Sequence, residues 1–158
     1  IGLLKHGRPV LGVVLAPARR ELFVGGEGLP ATCNGQSIHV STVDILAKSL
    51  LATGFPYDRR ERLPQLLGWL GRALQRAHDI RRGGSAAIDL CEVACGRLDG
   101  FFEVGLQPWD LAAGQAILIA AGGEITGYDG GVHDLFAGNT LASNGRIHEE
   151  LVDLVAAS

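Results

Sequence analysis

From Leu111 to Ala121 the chain reads Leu-Ala-Ala-Gly-Gln-Ala-Ile-Leu-Ile-Ala-Ala, with Gln115 its one polar side chain. Pro108-Trp109-Asp110 stands before this run and Gly122-Gly123 stops it, as suits a helix with Asp110 at its opening. A helix apolar all round has no face to offer water, so it is deeply buried and other elements must cover it.

The surrounding pattern supplies them. Val10 to Ala16 and Glu21 to Gly25 read as short strands joined around Pro17, with a tight turn at Asn34-Gly35, a small β-meander. Ser49 to Ala52 reads as a strand ending before Gly54-Phe55-Pro56, where the proline disfavours helix. Leu63, Leu66, Leu67, Leu70, Ala73, Leu74 and Ala77 recur at helical spacing. Ser85 to Cys95 and Ile147 to Ala156 are further helices, and Leu98 to Glu103, Glu124 to Thr126 and Thr140 to Ser143 are strands. Strands and helices alternate through the second half without a repeat or linker. The expectation is one unit over residues 1–158, a layered α/β (α+β) sandwich.

Composition narrows the function. At 47% apolar residues the chain can bury a core, which argues against disorder. A net charge of -3 without a Lys/Arg block gives no footprint for nucleic acid or an anionic membrane. No stretch is long enough to span a bilayer. Lys5, His6 and Arg8 before Val10 to Ala16 imitate a signal peptide, but Gly12, Pro17 and β-branched Val13 and Val14 suit a strand and turn better. Cys33, Cys91 and Cys95 form no CxxC pair, so a disulfide framework and a zinc ribbon are not expected, and a reducing, cytoplasmic setting is. There is no methionine, so Ile1 is not a retained initiator and the chain reads as a fragment, a processed product or a partial reading frame.

Two helix starts could carry chemistry, because unpaired N–H groups and the positive dipole end attract anions there. In Gly83-Gly84-Ser85-Ala86-Ala87 the glycines allow close backbone approach and the N–H groups of Ser85 and Ala86 could face a phosphate or sugar hydroxyl. A plain N-cap at Ser85 is the commoner reading of such a run. In Gln107-Pro108-Trp109-Asp110, Asp110 could cap the buried helix, turn a carboxylate oxygen to a hard cation such as Mg²⁺, or do both. Glu103 ends its strand a few residues earlier and could emerge at the same edge, or simply be solvated there. GxSxG lacks its last glycine at Ala87 and GxGxxG its third at Ala31. The five histidines show no metal-site spacing, and Asp99-Gly100 and Asp129-Gly130 read as turns.

Taken in order, Arg81-Arg82-Gly83-Gly84-Ser85-Ala86-Ala87-Ile88-Asp89-Leu90, Gly96-Arg97-Leu98-Asp99-Gly100-Phe101-Phe102-Glu103, Gln107-Pro108-Trp109-Asp110-Leu111-Ala112-Ala113-Gly114 and Ala121-Gly122-Gly123 resemble the inositol monophosphatase family. Gly54-Phe55-Pro56-Tyr57-Asp58 matches its bacterial members, and the resemblance extends over essentially the whole chain. It implies the layered α/β/α/β/α sugar-phosphatase fold, incomplete at the N-terminus, and usually a homodimer. It implies Mg²⁺-dependent hydrolysis of inositol-1-phosphate, with fructose-1,6-bisphosphate and histidinol phosphate as alternatives, and lithium inhibition of an intact enzyme. By the same resemblance Asp110 binds Mg²⁺ and contacts the inositol, Glu103 holds a substrate hydroxyl, and Gly84, Ser85 and Ala86 line the pocket. Arg82 contributes there or at a subunit interface.

The family's upstream Glu and Asp-Pro-Ile/Leu-Asp-Gly-Thr motif, which supply most metal ligands, do not occur in this sequence. The expectation is therefore little or no phosphatase activity from the chain alone, with core surface left exposed. A non-catalytic, dimeric binding or regulatory protein is the alternative from another class.

Overall fold

Short alternating segments and tight turns make the first sheet a simple meander. Its strands β1 (Gly2–Lys5), β2 (Arg8–Ala16), β3 (Glu21–Gly26), β4 (Leu29–Cys33) and β5 (Gln36–Ser37) pair antiparallel in chain order. The computed structural model describes residues 1–156. At the expected turn, Asn34 and Gly35 both have positive φ, 50° and 79°, the combination a two-residue hairpin with strand-matched twist requires. The Asn34 side chain also accepts the Leu22 N–H and donates to Arg20 O, both at 2.9 Å, tying the turn to β3.

The second sheet is mixed, in the order β7 (Asp79–Arg81), β6 (Leu50–Thr53), β8 (Gly100–Val104), β10 (Asn139–Ser143), β9 (Glu124–Thr126). β6 runs parallel to both β7 and β8, and β10 runs antiparallel to β8 and β9. Consecutive strand residues face opposite ways, yet Phe101 and Phe102 are both buried, each in a different core. The sheet is therefore covered on both sides.

Helices α2 (Ala86–Ala94) and α3 (Pro108–Ala120) fill the space between the sheets, while α1 (Leu63–Arg76) and α4 (His148–Ala156) cover the far face of the second sheet. The apolar run is buried from Leu111 to Leu118, but Ile119 in the last turn of the helix is 52% exposed, so the run is not covered all round to its end. Small residues let the layers meet. A Cβ on Gly12 would lie 2.0 Å from Ala113 O, and one on Gly114 would lie 2.7 Å from Leu90 Cβ. The outer face of the first sheet carries exposed Leu15, Leu22 and Leu29. Among the described residues the order of layers is thus sheet, helices, sheet, helices.

Several expectations need correction. α1 buries Leu66, Trp69 and Ala73, whereas Leu63, Leu67 and Leu74 are exposed. The periodicity is helical but the stripe turns toward Trp69, whose Nε1–H donates to Val155 O at 2.9 Å and so joins α1 to α4. Asp99, read as a turn residue, lies in the bend before β8 and is buried. It accepts the Leu50 N–H at 2.7 Å and the Ser41 hydroxyl, fixing the start of β6 beside β8. β1, β4, β5 and β7 were not anticipated. The three cysteines are free thiols, and no helix among the described residues is long and apolar enough to cross a membrane.

Candidate active site

Parallel β7, β6 and β8 end on the same edge of the second sheet, the edge where ligands of such sheets characteristically bind. Arg82 follows β7, Gly54 and Phe55 follow β6, and Glu103 lies near the end of β8. The N-termini of α2 and α3 meet this edge. All six residues expected at the site, Arg82, Gly84, Ser85, Ala86, Glu103 and Asp110, line one cavity of about 350 Å³. Phe55, Tyr57 and Trp109 also line it, and Trp109 remains 78% exposed.

Each backbone segment has a local reason for its course. Gly84 has φ +94°, a conformation that L side chains avoid, and it lets the chain turn from β7 into α2. Ser85 then takes the N-cap position in extended conformation, φ -141° and ψ 106°, but its hydroxyl makes no capping bond. The expected cap is absent. Asp110 is the third residue of α3, within the first turn of a helix that Pro108 opens. Its Oδ2 accepts the Gln107 N–H at 3.0 Å, as the acidic third residue of a capped helix does.

Glu103 is the electrostatic centre of the cavity. Burial raises its pKa to about 7, repulsion from Asp89 and Asp110 adds to this, and Arg82 opposes it. Asp89, buried in the first turn of α2, is raised to about 6 by burial and by Glu92, against Arg19 and Arg82. Two glycines make room for these carboxyls. A Cβ on Gly54 would sit 2.1 Å from Glu103 Oε1, and one on Gly83 2.3 Å from Asp89 Oδ1. A carboxyl titrating near neutrality can accept a hydrogen bond from a hydroxyl or donate one.

Gly54, Asp89 and Tyr128 were missed as members of this neighbourhood. Gly54 had a signal, since a strand ending in glycine beside a proline leaves backbone close to whatever occupies the edge. Asp89 and Tyr128 had none beyond their burial, which only the tertiary packing sets.

A hard cation needs several oxygen ligands. Asp110 suits such an ion through its oxygen not engaged by Gln107, but among the described residues no group of three or more His, Cys, Asp or Glu converges as a metal site. The donor set fits one share of a cation site and falls short of a whole one.

Comparison with known proteins shows the family and the fold. The sequence profile of the inositol monophosphatase family matches residues 1–158. Inositol-1-monophosphatase of Synechocystis sp. is 49% identical over 158 residues, all of this chain and 55% of that protein. Nus factor SuhB of Escherichia coli is 42% identical over 141 residues, 89% of this chain and 53% of that protein. The chain therefore spans about half the length of these relatives. Among solved structures, inositol monophosphatase from Anabaena (Nostoc) superposes with a TM-score of 0.95 at 45% identity, covering 98% of this chain and 61% of that one.

Proposed function

The chain belongs to the inositol monophosphatase family, and from that premise we propose that it forms the sugar-holding part of a Mg²⁺-dependent phosphatase acting on inositol-1-phosphate or a related sugar phosphate. The observation that carries this reading is the single cavity at the edge of β7, β6 and β8, where Asp110, Glu103, Arg82 and the start of α2 converge.

The roles divide by chemistry. The N–H groups of Ser85 and Ala86 sit at a helix N-terminus and suit an anionic or hydroxyl oxygen, with Arg82 adding positive charge. Glu103 takes a ring hydroxyl and selects a polyhydroxylated substrate. Asp110, held by Gln107, keeps one carboxylate oxygen for the cation or a hydroxyl. Mg²⁺ held in part by Asp110 would supply Lewis-acid activation of water and charge neutralisation at the leaving oxygen. Lithium inhibition, a homodimer and a cytoplasmic location belong to the same proposal.

The test is phosphate release from inositol-1-phosphate with Mg²⁺ by three proteins. They are this chain, this chain joined to the portion of the Synechocystis relative that it does not span, and the joined protein carrying Asp110→Asn. Activity confined to the joined protein, and lowered about 100-fold or more by Asp110→Asn, supports the reading. A joined, folded protein that hydrolyses none of inositol-1-phosphate, fructose-1,6-bisphosphate or histidinol phosphate overturns it.

A second reading, a binding or regulatory protein without catalysis, is favoured by relatives named Nus factor. It predicts a joined protein that folds and assembles but releases no phosphate.

A further inference from the structure

Behind the substrate cavity lies a second, much smaller one, whose walls include Thr53, Gly54, Trp69, Glu103 and Tyr128. About 10 Å³ of it is open to a water centre, close to the least space that admits one water. The Thr53 hydroxyl is already engaged, donating to Phe102 O at 2.7 Å. The Tyr128 hydroxyl is buried and has no hydrogen-bond partner among the described residues. An orphaned buried hydroxyl costs about 1–3 kcal/mol, so a tyrosine held here without function is a poor choice for a core position. Its ring is fixed edge-on to Trp69, with centroids 5.0 Å apart, which leaves the hydroxyl little freedom to seek a partner elsewhere.

We propose that Tyr128 is a positioning residue for Glu103. One water in the small cavity accepts the Tyr128 O–H and donates to the Glu103 carboxylate, holding that carboxyl against Gly54 and toward the substrate cavity. The inference rests on the reading of Glu103 as the holder of a substrate hydroxyl. The charged and titratable groups around Glu103 are Asp89 from α2, Arg82 from the turn after β7, Asp110 from α3 and Tyr128 from the β9–β10 connection. Tyr128 itself is pushed well above the usual tyrosine range by burial and then by the Glu103 charge. It therefore stays a donor throughout the range in which Glu103 titrates.

The chain has two tyrosines, and Tyr57 is fully exposed, so ¹³Cζ-tyrosine labelling gives one reporter and one internal reference. The Tyr128 signal should step with a midpoint near that of Glu103, while Tyr57 shows no such step and Glu103→Gln abolishes the step at Tyr128. In ¹³C-glutamate-labelled protein, Tyr128→Phe should raise the Glu103 midpoint by about 0.5 to 1 unit, because a hydrogen bond to the charged form is lost. A Tyr128 signal that is flat from about pH 5 to pH 9 in the folded protein overturns the proposal, and this measurement decides even where Tyr128→Phe fails to fold. Neither readout uses substrate. A Tyr128 step, together with inositol-1-phosphate binding that Glu103→Gln leaves intact, would uphold the coupling and reject the substrate role of Glu103.

Discussion

The backbone of Gly54 lies directly against the carboxyl of Glu103, so close that a methyl group at position 54 would fall 2.1–2.2 Å from all three carboxyl atoms. The three nearest atoms all belong to the flexible end of Glu103, which can swing aside without disturbing either strand. Gly54→Ala should therefore leave the melting temperature within about 2 °C, yet weaken inositol-1-phosphate binding about tenfold by displacing the carboxyl from the ring hydroxyl. Calorimetric titration beside a thermal melt checks both halves. A loss of binding matched by an equal loss of stability would mean that the strand edge, and not the carboxyl, had moved.

The pH dependence of stability should carry the mark of Glu103. Its folded pKa, about 7, lies above the ordinary 4.5, so between these values the folded protein keeps a proton that the unfolded chain has released. Stability from this group falls as pH rises from about 4.5 through 7. Asp89, raised to about 6 from 3.8, acts with the same sign. Glu103→Gln removes the titration. It should be nearly neutral at pH 4 and stabilising by about 1–2 kcal/mol at pH 8, after allowance for solvent screening. Urea unfolding at the two pH values measures the difference, and an equal effect at both would sink the account.

His148 acts in the opposite direction. Its ring is buried at the start of α4, with Nδ1 2.9 Å from the Ser143 hydroxyl and Nε2 2.9 Å from the Thr126 hydroxyl, so it pins the helix to β10 and β9. Burial lowers its pKa below 6.5, with Glu124 opposing. Burial also lowers His133. A depressed histidine pKa means that the unfolded chain takes up the proton first, so this stability is complete above about pH 6.5 and is lost as pH falls through the window below it. His148→Phe should flatten that acid limb while costing about 1–2 kcal/mol at pH 8 through the two lost hydrogen bonds, the Thr126 hydroxyl keeping Gly127 O and the Ser143 hydroxyl keeping the Gly145 N–H. Thermal melts between pH 5 and pH 8 distinguish this from a uniform loss.

How far the sequence discloses the fold depends on where the decisive information is stored. The run from Leu111 to Leu118 carries its own burial, and Phe101-Phe102 names a strand covered on both faces, so the helix layer and the central strand were legible. β1, β5 and β7 have two to four residues each and sit at sheet ends, where pairing comes from a neighbour rather than from alternation. Two helix starts and one strand end drew attention to Ser85, Ala86, Glu103 and Asp110, but the family resemblance was needed to group them with Arg82 and Gly84, and all six line one cavity. Tyr128 was not legible, since it comes from a glycine-rich connection and lines the small cavity beside Glu103 only because it packs against Trp69. Trp69 escaped notice for a related reason: the leucines around it gave a helical period, but only contact with α4 decides which side of that helix faces inward.

That dependence on close packing is sharpest where the first sheet meets the helix layer, and it yields a test of the fold itself. A Cβ on Gly12 would lie 2.0 Å from Ala113 O and 2.8 Å from Ala113 C, and both are backbone atoms of the buried helix α3, which cannot step aside as a side chain can. Gly28 offers the contrast, because a Cβ there meets nothing within 4 Å and the strain is confined to its φ of +72°. Gly28→Ala should cost about 1 kcal/mol, the ordinary penalty for an L residue in the left-handed region. Gly12→Ala should cost about 3 kcal/mol or more, since sheet and helix must separate and the core between them loses contact. Since α3 also carries Asp110, that separation should weaken inositol-1-phosphate binding as well, whereas Gly28→Ala leaves binding unchanged. Equal losses of stability from the two substitutions, read by urea unfolding, would show that the first sheet does not rest on α3 as closely as these distances require.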